Sequence, residues 1–166
     1  MNQCNFIESG MKFQYDSDDV FLPEQSPTYK SLAKHNSIKS CDFIWYYRRK
    51  LLFIEVKTTA PNKDQDLMTY IQEIHLKLIH TLLMFLGIIY GRPFDDKTIL
   101  PINLLPINMG NIAIVPVLII QQHQKDWIVS LADKIRKNIK GTKKAYCMED
   151  IIVLNEDSAR KQGFIV

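Results

Sequence analysis

Residues 40–59 read SCDFIWYYRRKLLFIEVKTT, two runs rich in aromatic and β-branched residues on either side of Arg48-Arg49. Runs of this kind, parted by two polar residues, make a β-hairpin with strands over about Cys41 to Tyr47 and Leu51 to Thr58. With the two arginines in the turn, partners count outward symmetrically, so Tyr47 meets Lys50 and Asp42 meets Glu55. Directly opposed residues have Cβ atoms only about 4.5 to 5.5 Å apart, where two carboxylates repel unless a cation lies between them. A divalent metal fits that position. Alternation along the second strand puts Phe53, Glu55 and Lys57 on one side and Ile54 and Val56 on the other, so Lys57 shares the face of the two acids. A bulge would shift this register by one residue and turn Asp42 away. The plainer alternative is that three charged residues simply decorate a solvated sheet face.

The flanking sequence supplies more elements. Upstream, Lys12 to Tyr15 and Val20 to Leu22 suggest short extended pieces, and Ser26-Pro27 followed by TYKSLAKHN has the cap and first-turn proline of a helix start. Downstream, Leu67, Ile71, Ile74, Leu78, Leu82, Phe85 and Ile89 recur at helical spacing, which predicts a long helix over Gln65 to Ile89 that stops at Gly91. A proline-rich stretch without periodicity, Arg92 to Gly110, reads as a loop. The apolar run Ile112 to Ile120 then reads as a strand buried on both faces, although Pro116 within it cannot donate to a ladder. An amphipathic helix over Lys125 to Lys140 and a short strand near Ile151 to Leu154 follow. The order β, β, long α, β, α, β predicts an α/β (α+β) fold with a central mixed sheet flanked by helices.

An Asp, then Glu-x-Lys on the next strand, then a long helix resembles the PD-(D/E)XK nuclease superfamily, which includes restriction enzymes and Holliday-junction resolvases. Here the motif is Asp42 with Glu55-Val56-Lys57, and the resemblance spans Glu24 to Gly91; Cys41 stands where the motif's proline would be. The resemblance implies a restriction-endonuclease-like core and metal-dependent hydrolysis of nucleic acid but no particular substrate; a DNA endonuclease is the expected form, with DNA favoured over RNA. It implies Mg²⁺ or Mn²⁺ held by Asp42, Glu55 and the Val56 carbonyl, with Lys57 orienting or deprotonating water or neutralising the phosphate. It further makes Glu24 a candidate extra acidic ligand and Gln72, Glu73 and Lys77 secondary candidates on the long helix. For Glu24 the alternative is plain solvation, and for Glu73 and Lys77 an ordinary surface ion pair. His75 and His80 lack a partner at ligand spacing and read as packing or surface residues.

The chain of 166 residues carries 46% hydrophobic and 23% charged residues, values of a globular protein, and its length suits a single domain. Net charge is a mild +3, but Lys30, Lys34, Lys39, Arg48, Arg49, Lys50, Lys57 and Lys63 gather around the hairpin in sequence, as a polyanion-binding patch would. Cys4, Cys41 and Cys147 form neither a CxxC nor a Cys/His pattern, and the amino terminus has no basic-then-apolar leader, so a cytoplasmic location is expected. The apolar run Leu76 to Tyr90 is interrupted by Lys77, His80 and Thr81 and reads as a core helix rather than a membrane span. No nucleotide-binding glycine loop or serine elbow is present. A core this small is expected to act as a homodimer or with a partner protein, and analogy to the superfamily suggests microbial defence or mobile-element biology. The competing reading is a catalytically silent nuclease-like subunit that binds nucleic acid or scaffolds a complex.

Overall fold

The computed structural model describes residues 2–35, 38–92, 98–105, 107–122 and 125–166. Its centre is the expected hairpin: β4 (Phe43–Tyr47) and β5 (Lys50–Lys57) pair antiparallel from Tyr47↔Lys50 to Phe43↔Ile54 with no bulge. Arg48 and Arg49 both have positive φ, 49° and 62°, which gives a two-residue turn whose twist matches the flanking strands. On the outer side β4 pairs antiparallel with β3 (Val20–Phe21). On the inner side β5 runs parallel to β6 (Ala113–Ile120), which runs parallel to β7 (Ile152–Asn155). The result is a five-stranded mixed sheet in the order β3-β4-β5-β6-β7.

Parallel neighbours need long crossovers, and two helices provide them. α2 (Asp64–Ile89) joins β5 to β6 and α3 (Lys125–Tyr146) joins β6 to β7. Both bury their apolar stripes on one sheet face: Leu67, Ile71, Ile74, Leu78, Leu82 and Phe85 of α2, with Leu131, Ile135 and Ile139 of α3, share a core with Leu51, Phe53 and Leu118. By length and composition α2 could also cross a membrane, the one helix among the described residues that could, yet this stripe lies inside the core. Pro116 is accommodated in a central strand because of where its nitrogen points. Glu149 donates its N–H to the Ile114 carbonyl on the β7 side, Pro116 faces that same side two residues on, and the β6–β7 ladder begins only at Val117↔Ile152.

The opposite sheet face is covered by an element the sequence only half revealed. β1 (Gln3–Glu8) and β2 (Met11–Asp16) form a separate hairpin, and Met11, Phe13 and Tyr15 pack on Phe43, Trp45, Leu52, Ile54 and Val56. The C-terminal segment completes this second core: α4 (Glu156–Lys161) buries Ala159, Phe164 and Ile165 pack beside it, and the Tyr15 hydroxyl donates to the Phe164 carbonyl. α1 (Pro27–His35) starts where expected, with Ser26 Oγ accepting from the Tyr29 N–H at 3.1 Å. Of the loop expected over Arg92 to Gly110, residues 93–97 and 106 lie outside the described residues, and the described remainder is broken only by the short 3₁₀ turns Ile102–Leu104 and Met109–Asn111, the latter at its end.

Candidate active site

Along β5, Leu51 and Phe53 face the α2 core and Leu52, Ile54 and Val56 face the hairpin core, so alternation directs Glu55 and Lys57 toward α2. α2 answers with a matching face. Tyr70, Glu73 and Lys77 stand at i, i+3 and i+7 and therefore share one side of the helix. The Lys77 amine donates to Glu55 Oε1 at 2.6 Å, while the Lys57 amine lies 3.2 Å from that oxygen and 3.2 Å from Glu73 Oε1. Two lysines from two elements thus converge on one carboxylate, of which only 1% of the side chain is exposed.

Asp42 completes the group from just outside β4. Its Oδ2 accepts the Val56 N–H at 2.6 Å, replacing the strand partner that β4 no longer supplies at that level. The position of Asp42 is fixed by α2 as well. The Lys39 N–H donates to His80 Nδ1 at 3.1 Å, the Cys41 N–H donates to Thr81 Oγ1 at 2.7 Å, and the Thr81 hydroxyl donates to the Lys77 carbonyl at 2.7 Å. The helix that delivers Lys77 therefore also ties down the chain entering Asp42. From the far side of the sheet, the Ser9 hydroxyl at the tip of the β1–β2 hairpin donates to the Val56 carbonyl at 3.2 Å.

The electrostatics are those of a buried acidic pair. Burial pushes the Asp42 carboxyl up to about 8, the Glu55 charge pushes the same way, and Lys77 with the Val56 N–H pulls against both. Glu55 is raised by burial against the pull of Lys77 and Lys57. Burial alone would lower Lys77, but the charge and hydrogen bond of Glu55, with help from Asp42, outweigh it and raise the ammonium above its ordinary range. Burial also opposes the ionisation of Glu73, and the Lys57 hydrogen bond and charge overcome it, leaving that carboxyl below its ordinary value. Glu55 Oε2 is buried and has no hydrogen-bond partner among the described residues.

The structure therefore brings together Asp42, Glu55, Lys57, Glu73 and Lys77 and leaves other candidates apart. Glu24 is exposed and accepts a 3.4 Å contact from Ser40 Oγ. Gln72 is exposed, on a different side of α2 from Glu73 and Lys77. Among the described residues no third His, Cys, Asp or Glu joins Asp42 and Glu55 as a metal-ligand group. The basic patch is divided. Lys39 is near enough to Glu73 to lower it, and Lys30, Lys34 and Lys63 are exposed on or beside α1 and α2. Arg48, Arg49 and Lys50 are at the other end of β5, and strand rise of about 3.3 Å per residue places the turn about 20 Å from Glu55. There Lys50 pairs with Glu149 at 3.0 Å and Arg48 lies 4.9 Å over the Tyr47 ring. Sequence reasoning missed Ser9 and Thr81, whose contacts link residues far apart in the chain. Comparison with known protein families, with curated proteins and with solved structures finds no match for this chain.

Proposed function

We propose that the chain is a metal-dependent nuclease with a restriction-endonuclease-like core of the PD-(D/E)XK type, hydrolysing phosphodiester bonds, with DNA as the favoured substrate. The observation that carries this reading is Glu55, a carboxylate buried near the end of a central strand with one oxygen between two lysines and the other without a hydrogen-bond partner among the described residues. Lys77 and Lys57 offset the cost of burying one Glu55 oxygen; a cation held at the second oxygen and at the raised Asp42 carboxyl would offset what that pairing leaves. The donor set suits a hard divalent cation: Asp42 and Glu55, with the Val56 carbonyl, would hold Mg²⁺ or Mn²⁺, the remaining positions being left to water and substrate oxygens. When bound, the cation would neutralise phosphate charge and make a nearby water more acidic. Lys57, partly exposed and balanced between Glu55 and Glu73, is the group free to turn toward a phosphate. Lys77 is held against Glu55 and favours the ionised form of that carboxyl against the effect of burial.

One observation favours the silent-subunit alternative. The 2.6 Å contact from Lys77 already neutralises Glu55 without a metal, as a purely structural ion pair would. A panel of plasmid DNA, linear DNA and RNA, incubated with Mg²⁺, Mn²⁺ or a chelator, separates the two. The nuclease reading expects metal-dependent cleavage of at least one substrate, and folded protein inert toward all of them with every metal would leave the silent subunit standing.

A further inference from the structure

β5 and β6 are parallel and end level with each other, Lys57 beside Ile120, and each is followed by a helix on the same sheet face. The first turns of α2 and α3 therefore open a crevice at the carboxyl edge of the sheet, the edge at which open α/β sheets bind ligands. A cavity of about 420 Å³ occupies it, lined by Pro61 and Asn62 from the β5–α2 connection, Leu67 from α2, and Trp127, Ser130 and Lys134 from α3. Leu67 and Lys134 also border a second hollow of about 460 Å³ that continues past Lys137. Ile128 packs against the core, whereas Trp127, one position earlier, is 40% exposed at the cavity. Among the described residues lining the two hollows, the charged ones are both cations, Lys134 and Lys137. The candidate active site is close by. Ala60 also lines the cavity and is three residues beyond Lys57, so the chain between them spans no more than about 11 Å.

We propose that this cavity takes an unpaired nucleobase of a single-stranded DNA segment, stacked on Trp127, with the neighbouring phosphates on Lys134 and Lys137. The inference rests on the nuclease reading for the position of the cut phosphate, and it names a substrate class: a strand left unpaired within a few nucleotides of that phosphate. Each feature of the crevice matches such a segment. An indole gives a π face on which any base stacks, and lysines along a groove meet the charge of the backbone. Asn62 and Ser130 bring donors and acceptors to the edge of a base. An intact duplex keeps its bases stacked inside and presents none of them to a cavity. An apolar peptide would fill the space beside Trp127 and leave the two lysines without a counter-charge.

The two tryptophans make the binding visible, because Trp45 is buried in the other core and Trp127 is not. A short thymidine homopolymer titrated into the protein with chelator present, where no cleavage competes, should quench the fluorescence. Trp45→Phe should keep that quenching and Trp127→Leu should lose it. Leucine keeps an apolar side chain at the cavity and removes the ring, so Trp127→Leu should melt close to wild type while its affinity for the single strand falls about ten-fold or more. Replacing both lysines, Lys134→Gln with Lys137→Gln, should keep the quenching and flatten the slope of log affinity against log salt by about 0.7 per lysine. The same strand annealed to its complement should bind without quenching. Single-strand affinity unchanged in Trp127→Leu, or equal quenching by the duplex, would overturn the proposal and leave the nuclease reading to its own test. If Trp127→Leu melts far below wild type, the quenching of Trp45→Phe by single strand against duplex decides the matter alone. Quenching by the single strand from a protein that cleaves nothing would keep the cavity's role and remove the nuclease reading.

Discussion

At the scale of single residues, Asp42 and the two lysines make opposite demands on the fold. A carboxyl whose folded-state value is raised keeps its proton in the native protein after the unfolded chain has lost it, so its penalty is absent below about pH 3.9 and grows until the folded value is passed. For Asp42, pushed up to about 8 by burial and by Glu55, the metal-free protein should lose stability as pH rises from about 4 to about 8. Asp42→Asn should flatten that slope and be about 1 to 3 kcal/mol more stable than wild type at pH 8, measured by denaturant unfolding with a chelator present. Because a bound cation requires the carboxylate, Mn²⁺ affinity of the wild type should climb with pH up to about 8, and a flat titration between pH 6 and 8 would count against Asp42 as a ligand. The lysines should separate cleanly. Lys77→Met strips a buried carboxylate of its shorter contact and should cost about 2 to 4 kcal/mol, softened by protonation of Glu55. Lys57→Ala, at a side chain 24% exposed, should cost under about 1 kcal/mol and still abolish cleavage. Equal stability losses in the two variants would mean that the structural and chemical lysines have been wrongly divided.

At the scale of elements, the hairpin was legible because its turn fixes its register. Two residues between apolar runs leave one symmetric pairing, and β4 and β5 adopt it from Tyr47↔Lys50 onward. The turn nonetheless uses arginines where glycine or asparagine fits better, and a non-glycine residue in the left-handed region costs about 1 to 2 kcal/mol. Arg49→Gly should therefore raise the denaturation midpoint, by a stability gain of about 1 kcal/mol, and leave cleavage within about two-fold of wild type because the turn is far from Glu55. A steep fall in cleavage would instead put substrate on the turn. The α2 stripe and the Ser26 cap were legible for similar local reasons, since helical periodicity and a capping hydroxyl are written within a few residues of each other. What escaped was either short or non-local. β1 has a weak alternation of exposed and half-buried residues, and α4 is too brief, at six residues, for its period to register. α3 runs to Tyr146 because Gly141 within it does not break it, so the expected end at Lys140 fell short.

At the scale of the whole molecule, the two cores divide the work. One clamps α2 and α3 to the sheet and so delivers Tyr70, Glu73 and Lys77 to β5, while the other seats the β1–β2 hairpin so that Ser9 reaches the Val56 carbonyl. The sequence could place Asp42, Glu55 and Lys57 near one another because Asp42 immediately precedes β4 and the other two lie on β5, but β4 starts at Phe43 rather than Cys41, so the expected Asp42–Glu55 strand pair is not part of the ladder and Asp42 takes the Val56 N–H instead. The sequence could not show that Lys77, twenty-two positions from Glu55, would be the nearer cation, since that contact depends on how the crossover helix lies on the sheet. Nor could residue order alone show that the basic cluster divides between the two ends of β5. The central claim is that this buried carboxylate exists for metal-dependent hydrolysis, and Glu55→Gln addresses it with least disturbance, being nearly isosteric. Plasmid cleavage by wild type and Glu55→Gln should be followed in parallel with Mg²⁺ or Mn²⁺, each protein confirmed as folded. Cleavage by the wild type that vanishes with chelator and in Glu55→Gln is the predicted result; a Glu55→Gln protein that cuts as fast as wild type would contradict it.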